Sequence, residues 1–244
     1  MRILVLGNSD TRGEFAPGVT WPEQAAALVS AATREEVSID ERRFSATRPD
    51  APAFAATLVE EVRPDLVLLP LGTFAFTAGF TWVRVQRFFG VRVANWYRKG
   101  EAAMDSRTRN EQRLPNSMGR TLRGTMRRLV GTQPMTTSKG LATNYRDVLR
   151  ALAQAEDCNV LVVAYPPERA TSVTVRDAFE QRRMFLEDVA AEAALHRFHL
   201  VDSMAAYHDA PNSGELFTPD GFHSTAAGHQ VLGAVVAAGI LALP

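Results

Sequence analysis

The sequence predicts a parallel, doubly wound α/β sheet, and two observations support this fold class. Five short apolar runs alternate with helical patterns along the 244 residues. Most of these runs are continuous, as is typical of strands covered on both faces, and strands that alternate with helices favour a parallel sheet with helices on either side. The predicted strands are Arg2–Gly7, Val37–Phe44, Asp65–Leu71, Cys158–Tyr165 and Phe198–Val201.

Helices are predicted between and after these strands. Thr20, Pro22 and Glu23 make a capping box with proline in the first turn, and the helix that they begin runs to Ala32. The other predicted helices are Pro52–Val62, a helix with Tyr145, Val148, Leu149 and Leu152 on one face, Val175–Leu195 and Ser224–Leu241.

One connection is much longer than the others. Leu71 and Cys158 are separated by 86 residues, far more than a crossover helix needs. The helix around Tyr145 can supply that crossover, so we expect a single domain over residues 1–244 with a helical insertion at about 76–137.

The insertion is strongly basic. Between Arg84 and Arg128 there are twelve basic residues and three acidic ones, although the whole chain has zero formal net charge. This asymmetry indicates an anionic partner or docking on the acidic remainder of the chain. A lid that faces the substrate is one interpretation, and two amphipathic helices with solvated arginines are the other.

Composition limits the remaining classes of function. The neutral net charge gives no indication of nucleic acid or membrane binding, and no apolar run approaches the length of a membrane span. Met1–Leu6 is too short for the apolar core of a signal peptide, so we expect a cytoplasmic protein.

Cys158 is the single cysteine, which excludes an internal disulfide, and we expect a buried structural thiol. We expect no metal and no cofactor.

Polar clusters stand where chemistry is expected in such a sheet, beyond the carboxyl ends of the strands. Ser9 follows the first strand and is a candidate nucleophile. His223 precedes the last helix as a candidate base, and Asp220 as the carboxylate that would fix its tautomer. Each motif alone has an ordinary explanation, since serine often caps turns and one Asp-x-x-His can arise by chance.

Together these motifs resemble the SGNH/GDSL hydrolase family. The likeness includes Gly-x-Ser at Ser9 and the blocks Asp220–His229, Pro64–Thr73 and Gly18–Glu23. The resemblance implies a flavodoxin-like three-layer α/β/α sandwich with a five-stranded parallel sheet. It also implies a serine esterase that forms an acyl-enzyme on Ser9 from a small-molecule ester.

Three positions depart from that family's pattern. Phe74 stands where the family has an asparagine that donates to the oxyanion, no glycine follows the second strand, and Asn8 replaces the aspartate of Gly-Asp-Ser. The expected oxyanion donors are therefore at Ser9, Ser45 and Gly72. We expect Phe74, Trp21 and Asn116 to contact the substrate, with Asn116 among the asparagines of the insertion that could supply the missing donor.

Other functions remain open on the sequence alone. The same fold without the asparagine could be an acyltransferase or a binding module that has lost catalysis. A nucleotide binder would use the small-residue loop from Ser9 to Gly13, but Gly-x-Gly-x-x-Gly and Walker patterns are absent.

Overall fold

The computed structural model has a five-stranded parallel sheet with the strand order β2-β1-β3-β4-β5. It describes residues 1–13, 18–77, 80–111, 128–155, 158–165, 175–211, 213–218 and 223–244. The strands are β1 (Arg2–Gly7), β2 (Ser38–Arg43), β3 (Leu66–Leu71), β4 (Asn159–Ala164) and β5 (His199–Asp202).

The central strands are buried on both faces, which explains their continuous apolar sequences. In β1, Leu4 and Leu6 face one hydrophobic core, whereas Ile3 and Val5 face the other. Strand β2 lies at an edge of the sheet and none of its residues is fully buried. All five predicted strands are present, and each of their ends lies within one residue of the prediction.

Helices cover both faces of the sheet, as the sequence predicts. On one face, α1 (Trp21–Thr33) packs against α8 (Ala226–Leu241). On the other face, α2 (Ala51–Val62) and α6 (Val175–Leu195) both pack against α5 (Ser138–Leu152). A short helix, α7 (Met204–Asp209), follows β5. The three-layer α/β/α architecture is confirmed.

The segment after β3 is helical where the structure describes it. It contains α3 (Phe74–Thr77) and α4 (Thr81–Glu111), and α4 is broken at Gly90, whose φ of 82° lies in the left-handed region. An isolated antiparallel bridge between Phe80 and Gln133 joins the two ends of this segment. Within the described ranges, no helix is long and apolar enough to cross a membrane. The extent of the insertion within one domain stays a prediction.

Cys158 is half-buried immediately before β4, rather than fully buried as the sequence predicts. The end of the strand leaves one side of this residue open. Even so, burial raises the pKa of the Cys158 thiol to about 11. The thiol is therefore a poor nucleophile near neutral pH, which is consistent with a structural role.

Candidate active site

The loop after β1 is held rigidly by its own side chains. The Asn8 Oδ1 atom accepts hydrogen bonds from the backbone N–H groups of Asp10 (2.9 Å) and Thr11 (3.2 Å). The Thr11 hydroxyl accepts from the Asn8 N–H at 2.9 Å and also contacts the Glu41 carboxylate. A Cβ atom on Gly7 would collide with both of these groups, so the strand must end in glycine. Ser9 is half-buried at the centre of this turn.

The segment before α8 brings His223 to the same edge of the sheet. Phe217 and Ser224 form an isolated antiparallel bridge, and the Thr218 N–H donates to the His223 carbonyl at 2.8 Å. The Thr225 hydroxyl caps α8 by accepting from the Gly228 N–H at 3.3 Å. Gly228 packs so closely that a Cβ atom there would collide with the Leu216 carbonyl oxygen. The last helix therefore fixes the position of the histidine segment.

Ser9 and His223 meet although they lie 214 positions apart in the chain. The Ser9 Oγ atom lies 3.0 Å from the His223 Nε2 atom. This distance suits proton transfer from a serine nucleophile to an imidazole base. Among the described residues, the pair is only partly buried.

Asp10 connects the loop that carries Ser9 directly to the segment that carries His223. No motif in the sequence predicts this role for Asp10. Its buried carboxylate accepts from the Ser224 N–H at 2.7 Å and from the Ser224 hydroxyl at 3.1 Å. The Tyr207 hydroxyl supports the same segment by donating to the Gly228 carbonyl at 3.0 Å. The only signal for Asp10 in the sequence was its position next to Ser9, because its partner comes from the far end of the chain.

Two of the predicted site residues, Asp220 and Asn116, lie outside the described residues. The role of Asp220 as the third member of a triad and that of Asn116 as a substrate contact stay predictions.

The predicted oxyanion donors differ in their surroundings. The Gly72 N–H donates to the buried Tyr145 hydroxyl at 3.2 Å, and that hydroxyl donates in turn to the Pro70 carbonyl at 3.0 Å. Gly72 is therefore engaged with the core, which is contrary to its predicted role as a donor to substrate. Ser45 follows β2 beside the Ser9 loop, and its hydroxyl contacts that of Thr47 at 2.9 Å.

Trp21 does not line the site, contrary to the expectation of a substrate contact. It is fully buried at the start of α1, and its Nε1–H donates to the Tyr165 hydroxyl at 3.1 Å. The first turn of α1 packs against the sheet, so this ring belongs to the core. Phe74, in contrast, is 37% exposed beside Gly72 and packs edge-to-face on Phe80, with 6.5 Å between the ring centroids.

The described part of the site brings together a hydroxyl and an imidazole group. Among the described residues, no group of three or more histidine, cysteine, aspartate or glutamate side chains is placed to hold a metal ion. Ser9 follows the carboxyl end of β1 and contacts His223, an arrangement that is typical of α/β hydrolytic enzymes with a serine nucleophile.

Comparison with known proteins identifies the family within that class. The model of the GDSL-like lipase/acylhydrolase family matches residues 5–231. The chain belongs to this family, and the resemblance seen in the sequence is confirmed. A search of curated proteins gives no match.

Solved structures with the same fold include several esterases. A lipase/acylhydrolase from Enterococcus faecalis has a TM-score of 0.58 at 14% identity, covering 98% of this chain and 94% of its own. An esterase from Pseudoalteromonas, inhibited by monoethylphosphonate, has a TM-score of 0.56 at 13% identity, with coverages of 98% and 96%. A mutant of an acetylxylan esterase from Geobacillus stearothermophilus has a TM-score of 0.57 at 13% identity, with coverages of 98% and 93%.

Proposed function

We propose that this enzyme hydrolyses carboxylic esters of small molecules through an acyl-enzyme on Ser9. The observation that carries the proposal is the 3.0 Å contact between Ser9 Oγ and His223 Nε2. Membership of an acylhydrolase family agrees with this chemistry.

The reaction then has two halves that use the same pair of residues. His223 Nε2 takes the proton from Ser9 Oγ as the oxygen bonds to the ester carbonyl carbon. The tetrahedral intermediate breaks the bond to the alcohol, which leaves with the proton from His223. In the second half, water gives a proton to His223 and its oxygen attacks the acyl carbon. The bond from that carbon to Ser9 Oγ then breaks, and His223 returns the proton to Ser9 as the acid leaves.

Two aspartates would assist the pair in different ways. Asp220 is proposed to accept a hydrogen bond from the other ring nitrogen of His223, which would fix the tautomer and stabilise the imidazolium. Asp10 is a positioning residue, because its bonds to Ser224 link the residues that follow Ser9 and His223.

Phe74 and the basic insertion are proposed to select the substrate. The partly exposed ring of Phe74 offers an apolar wall for the acyl group. Arg87, on the surface of α4, lines a cavity of about 440 Å³ with Trp82, and the Arg98 guanidinium lies 5.8 Å from the centre of the Trp82 ring. Cations beside this cavity, which Gln86 and Gln133 also line, would suit an ester that also carries a phosphate or carboxylate.

A fluorophosphonate probe tests the nucleophile directly. We expect covalent labelling at Ser9, located by mass spectrometry, and hydrolysis of para-nitrophenyl acetate that Ser9→Ala abolishes. Ser30→Ala is the matched control, because Ser30 lies on α1 and its hydroxyl donates only to the nearby Glu35 carbonyl. Substantial hydrolysis by Ser9→Ala would disprove the proposal. Product formation that depends on an added alcohol would instead indicate acyl transfer.

A further inference from the structure

We propose that the side-chain amide of Asn8 donates a hydrogen bond, through Nδ2, to the oxyanion that forms when Ser9 attacks the ester. Asn8 would then be a catalytic residue and not only part of the turn. The inference rests on the proposed esterase function, and it identifies the side-chain donor that Phe74 cannot supply.

The chemistry requires such a donor. Donors fixed in advance around the developing oxyanion are commonly the largest contribution to catalysis in acyl transfer. Phe74 has no hydrogen-bonding group, and the Gly72 N–H is engaged by the Tyr145 hydroxyl. Backbone N–H groups at Ser9 and Ser45 remain, and Phe74 offers no side-chain donor at its own position after β3.

The orientation of the Asn8 amide is fixed by its other hydrogen bonds. Two backbone N–H groups, those of Asp10 and Thr11, point at one branch of the amide, so that branch must be the oxygen. Nδ2 is the other branch, and no described residue accepts a hydrogen bond from it. A donor adjacent to the nucleophile is thus held in place with its hydrogen atoms uncommitted.

Nδ2 also points toward the end of β3, beside Phe74. A Cβ atom built on Gly72 would lie 3.8 Å from Asn8 Nδ2, so the amide faces the end of β3. The same Cβ atom would lie only 3.2 Å from the Phe74 ring, so the Asn8 amide and the Phe74 ring both approach Gly72 closely. The loop after β1 thereby presents an amide group toward the segment that ends in Phe74.

The two departures from the family's pattern compensate each other chemically. At position 8 an amide replaces a carboxylate, which adds two N–H donors, and at position 74 a phenyl ring replaces an amide, which removes two. An aspartate at position 8 would still accept from Asp10 and Thr11, but it would turn an acceptor oxygen toward the site. The exchange moves the donor from the end of β3 to the end of β1.

Two substitutions at Asn8 test the donor. Asn8→Asp keeps an oxygen for the two backbone N–H groups and removes Nδ2. Asn8→Ser removes it without adding charge, and its hydroxyl can still support the turn. We expect each to lower kcat/KM for para-nitrophenyl acetate by about 10²–10³-fold. The matched control, Asn159→Asp, lies at the opposite end of the sheet and should react like the wild type.

A rescue experiment separates donation from a merely structural role. Phe74→Asn in the Asn8→Ser background returns an amide to the end of β3, and we expect at least a tenfold recovery of kcat/KM. The same Phe74→Asn change in the wild type should give little gain. An Asn8→Ser enzyme within threefold of the wild type, or an equal effect of Phe74→Asn in both backgrounds, would overturn the inference. If Ser9→Ala retained hydrolysis, the proposed function itself would fail.

Discussion

At the scale of single residues, the contact between Ser9 and His223 leads to the clearest prediction about catalysis. Each side chain alone does little, because the hydroxyl needs a base and the imidazole needs a proton to accept.

We therefore expect His223→Ala to remove hydrolysis of activated esters without unfolding the protein. The double variant with Ser9→Ala should be hardly slower than either single variant, because the two residues act as a unit. Initial rates and circular dichroism check both statements. The control His199→Ala, at the start of β5, should leave the rate unchanged. If the rate reduction in the double variant equalled the product of the two single reductions, the prediction would be contradicted.

His229 makes a different contribution, to stability rather than to catalysis. It is buried in α8, its Nδ1 atom has no hydrogen-bond partner among the described residues, and burial lowers its pKa despite the charges of Asp10 and Glu23. A histidine with a lowered pKa in the folded state takes up its proton more readily when unfolded. Its contribution to stability is therefore present above the ordinary histidine pKa and is lost as the pH falls below it.

We expect the free energy of unfolding of the wild type to fall more steeply between about pH 7 and pH 5 than that of His229→Gln. Urea denaturation at several pH values measures the difference. His208→Gln provides the control, because the His208 side chain is almost fully exposed. Parallel pH profiles for the wild type and His229→Gln would contradict the assignment.

At the scale of elements, the active site depends on how the loop after β1 is tied to the start of α8. Asp10 makes this connection through two hydrogen bonds to Ser224, and both partners are buried. A carboxylate that accepts hydrogen bonds from a buried N–H and a buried hydroxyl keeps the two segments at a fixed distance from each other.

Asp10→Ala should lower both stability and kcat. The Ser224 N–H would lose its acceptor inside the protein, which costs about 1–3 kcal/mol. A shift of about 1 Å between Ser9 and His223 would lower kcat by about 10²-fold, while KM changes little. Asp10→Asn should recover part of kcat, because its Oδ1 can still accept from Ser224. Asp209→Ala is the control, because the Asp209 side chain is exposed. An unchanged kcat in Asp10→Ala would refute the positioning role.

At the scale of the whole molecule, charge is distributed very unevenly. The stretch from Arg84 to Arg128 carries nine net positive charges in a chain of zero net charge. Where the structure describes the side chains of α4, those of Arg87, Arg92 and Arg98 are exposed. Long-range attraction to an anionic substrate is the effect expected from such a surface.

We expect an ester with a phosphate group to have a higher kcat/KM than a matched neutral ester at low salt. The preference should shrink as salt rises, because screening shortens to about 8 Å at physiological ionic strength. Arg87→Gln should weaken the preference by up to about fivefold, whereas Arg183→Gln on α6 should not. Equal reactivity of both esters at both salt concentrations would show that these arginines serve solvation or packing.

The fold class and two side chains of the candidate site, those of Ser9 and His223, could be predicted from local sequence patterns. Apolar runs covered on both faces and intervening helical patterns are local properties, so the strands and most helix bounds followed from them. Ser9 and His223 could be proposed because each stands next to a predictable end of a strand or helix.

The hydrogen-bond partners of the polar side chains, and the orientation of those side chains, became known only from the tertiary structure. Asp10 and Ser224 lie 214 positions apart, and no pattern of residue spacing in the sequence predicts that they pair. Trp21 looked like a site residue but is buried by packing on the sheet, and the Gly72 N–H is taken by Tyr145 from a distant helix. Burial and the direction of a hydrogen bond depend on neighbours that only folding brings together, which is why these features could not be derived from the sequence.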